Sequence, residues 1–196
     1  RITNHGQRTT DNESRGPMAL SSTIFKANLQ LSDMDRHYYE EHHLTLARHP
    51  SETDERMMVR LLAFALHADE QLSFTKGLCD DEEPALWQKS LSDEIELWID
   101  VGQPDERRVR KACSRATRVC IYLYGGRNAE LWWQRNASKL QRFKNLTVLE
   151  IAEDTCHELV KLVQRSMQLQ CTIQDGEVWL NCGDQTVGVL PLVRKS

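Results

Sequence analysis

The stretch from Asp81 to Asp100, Asp-Glu-Glu-Pro-Ala-Leu-Trp-Gln-Lys-Ser-Leu-Ser-Asp-Glu-Ile-Glu-Leu-Trp-Ile-Asp, decides the fold. It reads as two short strands, Ala85 to Lys89 and Ile95 to Val101, each preceded by acidic residues. In the second strand Ile95, Leu97, Ile99 and Val101 alternate with Glu96, Trp98 and Asp100. A strand therefore puts four apolar side chains on one face and two carboxylates on the other. Half-buried strands alternate in any case, so the pattern alone fits a purely structural strand as well as a metal-binding one.

Downstream, Gly102-Gln103-Pro104-Asp105 breaks the strand and opens a helix, with Pro104 near its first turn and Asp105 and Glu106 at the positive end of its dipole. Val109, Ala112, Cys113 and Ala116 form an apolar stripe that must pack on a sheet, and Arg107, Arg108, Arg110, Lys111, Arg115 and Arg118 cover the rest. Val119 to Tyr124 is apolar on both faces, as a central or parallel strand would be. After Gly125-Gly126 the pattern gives a helix over Ala129 to Arg142, a strand over Asn145 to Ile151 and a helix from Asp154 to Ser166 capped by Asp154. Leu169 to Trp179 holds a hairpin turn at Asp175-Gly176, and a strand around Thr186 to Leu192 is expected to close the sheet.

Upstream, Ser51 reads as a helix N-cap with Asp54 completing a capping box, and Met57, Met58, Leu61, Leu62, Ala65 and Leu66 carry a long helix towards Asp69. Leu72 to Thr75 is a short strand, and Lys76-Gly77-Leu78 turns the chain towards the acids Asp80 to Glu83. Thr23 to Leu31 and Arg36 to Ala47 form a hairpin around Ser32-Asp33-Met34-Asp35. Residues 1–17 hold one large apolar side chain, Ile2, and read as a disordered leader; residues 18–196 read as a single domain.

No apolar run approaches the roughly 18 residues that a spanning helix needs, so no membrane association is expected. The six cysteines, at positions 79, 113, 120, 156, 171 and 182, form no C-x-x-C pair and read as buried free thiols of a cytoplasmic protein. The seven histidines show no metal-ligand spacing. Charge is strongly segregated. From Glu52 to Glu106 there are 15 acids and 4 bases, and from Arg107 to Lys144 there are 11 bases and one acid, Glu130. A carboxylate cluster beside a basic surface suits a site that acts on a polyanion; charges that pair across the fold would give the same counts.

From Ser51 to Tyr124 the order helix, three strands, helix, strand, with acids before the middle strand and on the third, resembles the PD-(D/E)XK nuclease core. Over its length from Met18 onward the chain is similar to the YaeQ family. The resemblance rests on Thr23-Ile24-Phe25-Lys26, on the run Leu44 to Met58 (LTLARHPSETDERMM), on Asp81-Glu82-Glu83-Pro84, on Ile95-Glu96-Leu97-Trp98-Ile99-Asp100-Val101-Gly102 and on Thr172-Ile173-Gln174-Asp175-Gly176. It implies an α/β (α+β) fold in which helices flank a central mixed β-sheet, a variant of the nuclease architecture with an N-terminal β-hairpin.

Carried over residue by residue, the resemblance implies a magnesium or manganese ion held by Glu83, Glu96 and Asp100, with Glu55 or Glu52 from the helix start as an outer carboxylate. The pattern departs from the nuclease motif twice: Pro84 is followed by Ala85, and the motif lysine is replaced by Gly102. Arg108, Lys111, Lys26 and Lys89 are the candidate cations in its place. Two functions follow. One is a divalent-metal-dependent phosphodiesterase on nucleic acid; the other is a non-catalytic module that binds nucleic acid or protein. Either would use Arg107, Arg108 and Arg110 on phosphates, with Trp98, Trp87, Trp132 and Trp133 as stacking candidates.

Overall fold

The computed structural model describes residues 22–76 and 82–196; the leader and the segment 77–81, with Asp80 and Asp81, lie outside the described residues. The chain runs β1 (Thr23–Asp33), β2 (Tyr38–Arg48), α1 (Asp54–His67), β3 (Leu72–Phe74), β4 (Leu86–Lys89), β5 (Ile95–Val101), α2 (Glu106–Arg115), β6 (Ala116–Leu123), α3 (Arg127–Leu140), β7 (Leu146–Glu150), α4 (Glu153–Lys161), β8 (Ser166–Gln174), β9 (Glu177–Cys182), β10 (Gln185–Val189) and β11 (Leu192–Lys195).

The strands form two mixed sheets rather than the single central sheet expected from the sequence. One has the order β10-β9-β8-β1-β2 and the other β11-β7-β6-β5-β4-β3. The first sheet joins the two ends of the chain, because β1 pairs in parallel with β8 from Lys26↔Ser166 to Asp33↔Ile173. The strand expected over Thr186 to Leu192 is two strands. Leu190 and Pro191 separate them, and β10 completes the first sheet while β11 crosses to pair with β7 in the second.

Helix α1 lies between the sheets. Met57 to Ala65 are all buried, including Arg60, which is the signature of a helix covered on every side rather than along one stripe. It shares a core with α4, the inner faces of β1, β8 and β9, and the Leu97/Ile99/Val101 face of β5. A second core lies on the other face of the second sheet, where Val109 and Ala112 of α2 and Ala129 and Leu140 of α3 pack on Trp98, Val119, Ile121 and Val148. The layers are thus sheet, helices α1 and α4, sheet, helices α2 and α3. At about 1.5–3 kcal/mol per fully buried large apolar side chain, the eight apolar residues between Met57 and Ala65 contribute on the order of 10 kcal/mol, and this burial more than any cap holds α1 in place.

Local chemistry sets the element ends. The N-cap of α1 is Thr53, whose hydroxyl accepts from Arg56 N at 3.2 Å, not Ser51. Ser51 is diverted by its neighbour His49, with Oγ 2.6 Å from Nδ1. Helix α4 starts at Glu153 with no side-chain cap, so the expected Asp154 cap is not made. Asp175 and Gly176 both take positive φ and form the two-residue hairpin turn between β8 and β9. The carboxylate of Asp35 accepts from both of their backbone N–H groups, at 2.8 and 2.9 Å, and ties the β8–β9 turn to the β1–β2 turn.

Candidate functional site

Glu96, Trp98 and Asp100 share one face of β5, as the alternation requires, but that face looks onto α2 rather than water. Asp100 is 4% exposed and Trp98 is fully buried. Asp105 caps α2 by accepting from Arg108 N at 2.7 Å, and this cap fixes where the Arg108 side chain starts. Arg108 then reaches back to β5 and clamps Asp100 with two parallel bonds, Nε to Oδ2 at 3.0 Å and Nη2 to Oδ1 at 2.8 Å. The Trp98 indole N–H donates to Oδ2 at 2.9 Å, and Arg108 Nη2 also donates to the Glu83 backbone oxygen at 2.7 Å. One guanidinium thus joins β5, the helix α2 and the loop entering β4.

The structure brings together only part of the residue set that the sequence proposed. Arg108 is the cation that meets Asp100. Glu83 meets Arg108 through its carbonyl, while its carboxylate accepts from Lys76 N at 3.4 Å. Glu96 accepts from Gln88 Nε2 at 3.1 Å. Four strand steps separate Glu96 from Asp100, about 13 Å between Cα atoms, with the Trp98 ring between them. Oxygens that share a divalent cation sit about 2.0–2.6 Å from it, and this separation does not allow that. Glu55 lies on the opposite side of the second sheet: α1 packs on the Leu97/Ile99/Val101 face, and Glu55 sits beside Cys156, where its charge and hydrogen bond join burial in pushing that thiol up to about 12. Among the described residues no group of three or more His, Cys, Asp or Glu is placed to hold a metal. The carboxylates named from the sequence therefore do not fit one shared cation.

Four further expectations are corrected. Trp98 cannot stack on a base, since it is a core side chain held by Asp100 with the Arg115 guanidinium 5.6 Å from its ring centre. Lys26 projects from the outer face of the first sheet, where it pairs in register with Thr45 and Ser166. Lys111 is engaged by Glu82. Glu52 is buried within α1's entry, its carboxylate held by Arg56 at 2.6 Å and by Arg60 Nη2 at 2.8 Å. Arg60 Nε is also 2.8 Å from Glu52 Oε1 but too poorly angled for a hydrogen bond, so that contact is electrostatic.

The basic segment does gather on one surface. Arg107 and Arg110 of α2, Arg135 and Lys139 of α3 and Arg142 just after α3 are exposed. Glu106 sits among them, with Arg110, Arg142 and Lys139 within 3.4 Å. The hydrogen bond from Arg110, then those of Lys139 and the nearby charges, hold its carboxyl below the ordinary range. Beside this cluster a cleft of about 630 Å3 is lined by Gln103, Asn128, Trp132, Arg135 and Lys139, and a smaller one of about 330 Å3 by Glu82, Asp105, Arg107, Arg108 and Lys111. The sequence pattern shows the cations but not Trp132's place among them. That place depends on its N–H donating to Pro104 O at 2.8 Å, a contact 28 residues away.

These layers define a protein of mixed α/β fold, with two mixed sheets and four helices among the described residues and an Arg-clamped carboxylate at the heart of one sheet. The chain belongs to the YaeQ family, whose model matches residues 18–191. It is 49% identical over 164 residues to the uncharacterized protein YaeQ of Escherichia coli (strain K12), covering 84% of this chain and 91% of that one. The YaeQ protein of Salmonella typhi is 48% identical over the same shares. The fold matches the crystal structures of YaeQ from Xanthomonas axonopodis pv. citri, with TM-score 0.87 and 49% identity over 90% of this chain and 99% of that one, and from Pseudomonas syringae, with TM-score 0.86 and 38% identity over 89% and 97%.

Proposed function

We propose that this protein binds nucleic acid through the α2–α3 surface, on a nuclease-like sheet in which an arginine occupies the position that a catalytic cation would need. The observation that carries this reading is the Arg108–Asp100 clamp. Both oxygens of the strand carboxylate are bonded to one guanidinium, so the basic helices beside it serve binding rather than chemistry at that strand. The exposed arginines of α2 and α3 supply phosphate contacts, and Trp132 in the cleft between them supplies an aromatic surface for a base.

Fluorescence anisotropy with labelled single- and double-stranded DNA and RNA tests this. Binding should weaken steeply as salt rises. Replacing Arg107 and Arg110 with Ala should lower the slope of log affinity against log salt by about 2, one for each phosphate left without its arginine. Binding that is absent at low salt for every nucleic acid, or unchanged in the double variant, removes the reading. Cleavage of any of these oligonucleotides on addition of magnesium or manganese would return the phosphodiesterase, with Arg108 displaced from Asp100.

A further inference from the structure

Four strands end the two sheets, and three of those edges are blunted. β3 has three residues, β10 has five and includes Gly188, and β11 follows Pro191 and carries Lys195 at a break in its register. Short length, irregularity and lysine are the devices by which proteins keep sheet edges from pairing. β2 has none of these. It runs 11 residues, Tyr38–Arg48, in unbroken register with β1, without Pro, Gly, Lys or bulge. Among the described residues nothing pairs with its other side. Its only charges before Arg48 are Glu40 and Glu41, followed directly by His42 and His43.

We infer that β2 pairs antiparallel with β2 of a second copy of this chain about a two-fold axis at His42, joining the two five-stranded sheets into one across the dimer. The register follows from side-chain chemistry. Directly opposed residues of an antiparallel pair share a face, so the axis must fall on a residue, and the outward-facing pair nearest the centre is Glu41 with His43 only if that residue is His42. An axis at Glu41 would set two carboxylates against each other, and one at His43 would leave Glu41 opposite Thr45. With the axis at His42, Tyr38 to Leu46 of both copies pair, and each Glu41 faces a His43. Both groups are available for this. Asn28 donates its amide N–H to Gln168 Oε1 at 3.2 Å, so its own oxygen is the acceptor that His43 Nδ1–H meets at 2.9 Å. In the imidazolium form, Nε2–H is the donor left to meet a carboxylate. Glu41 has no ion pair among the described residues.

Sedimentation velocity on the full chain across a wide dilution series is the test. The native chain should dimerise, and Glu41→Lys and His43→Glu should each weaken the dimer about tenfold or more, because each places like charges opposite one another twice. Mixing the two single variants should restore association as a heterodimer, since lysine then faces glutamate and histidine faces glutamate. Circular dichroism confirms that each variant keeps the native fold. As a test independent of charge, His42→Cys should oxidise to a covalent dimer, because opposed residues on the axis come within disulfide range, while cysteine at position 41 or 43 should not. A native chain that is monomeric at the highest concentration reached, single variants that dimerise as the native chain does, or a mixture that fails to associate would each overturn the inference.

Discussion

Asp100 and Arg108 illustrate how little a buried charge tolerates the loss of its partner. With Asp100 4% exposed, truncating Arg108 leaves a carboxylate that, among the described residues, keeps only the Trp98 N–H as a side-chain donor. Arg108→Ala should therefore lower unfolding free energy by about 3 kcal/mol, read as a drop in the urea midpoint. The pair replaced together by Leu and Met should recover most of that loss; a double variant as unstable as the single would mean that the clamp contributes more than charge compensation. Glu52→Ala strands Arg60, whose guanidinium is 2% exposed and whose pKa burial already pulls down, and should cost about 3–5 kcal/mol by the same measurement. At this scale much is legible in the sequence. The alternation puts Asp100 on the strand face opposite the Leu97/Ile99/Val101 core, and the helical wheel favours Arg108 over Lys111. The spacing of Glu96 and Asp100 itself argues against a shared ion, since four strand steps span about 13 Å. What the residues do not report is that α2 covers the carboxylate face, because that depends on which side of the sheet the crossover takes.

Among elements, α1 carries the clearest pH response. His67, at its C-terminal end, is half-buried against the second sheet, with Nε2 2.9 Å from the Tyr122 hydroxyl. Burial, then the Arg36 and Arg118 charges, pull its pKa down to about 4. In the unfolded chain it titrates near 6.5, so between these values the unfolded state binds the extra proton. The neutral ring's contribution is thus fully present above pH 6.5 and is lost as pH falls towards 4, up to about 3 kcal/mol in all. Unfolding free energies measured from pH 7 to 4.5 should fall along this course, and His67→Gln should flatten it; equal slopes in the two proteins would show that other groups carry the acid sensitivity. Element types are mostly legible because periodicities of two and 3.6 are strong, yet ends are not. Thr53 rather than Ser51 caps α1 only because His49 captures the Ser51 hydroxyl, and the β10–β11 break at Pro191 lies inside one apolar run.

Across the molecule, no local feature of the sequence reports that there are two sheets. The deciding contact is the parallel pairing of β1 with β8, strands about 140 residues apart, and no periodicity within either strand reveals its partner. That same pairing governs how the protein should unfold. The first sheet is assembled from both ends of the chain, and α1 and α4 fill the space between it and the second sheet, so neither sheet retains a covered inner face without the other. The two should therefore melt together. Fluorotryptophan incorporated throughout the chain offers a probe in each layer: Trp98 lies in the outer core of the second sheet and Trp179 on the open face of the first. Their fluorine resonances, assigned with Trp98→Phe and Trp179→Phe, should lose native intensity at one urea midpoint, as a two-state domain requires. If Trp179 lost its native signal first, the first sheet would be a separable unit, and the parallel β1–β8 pair would fail to bind the chain ends into the common core.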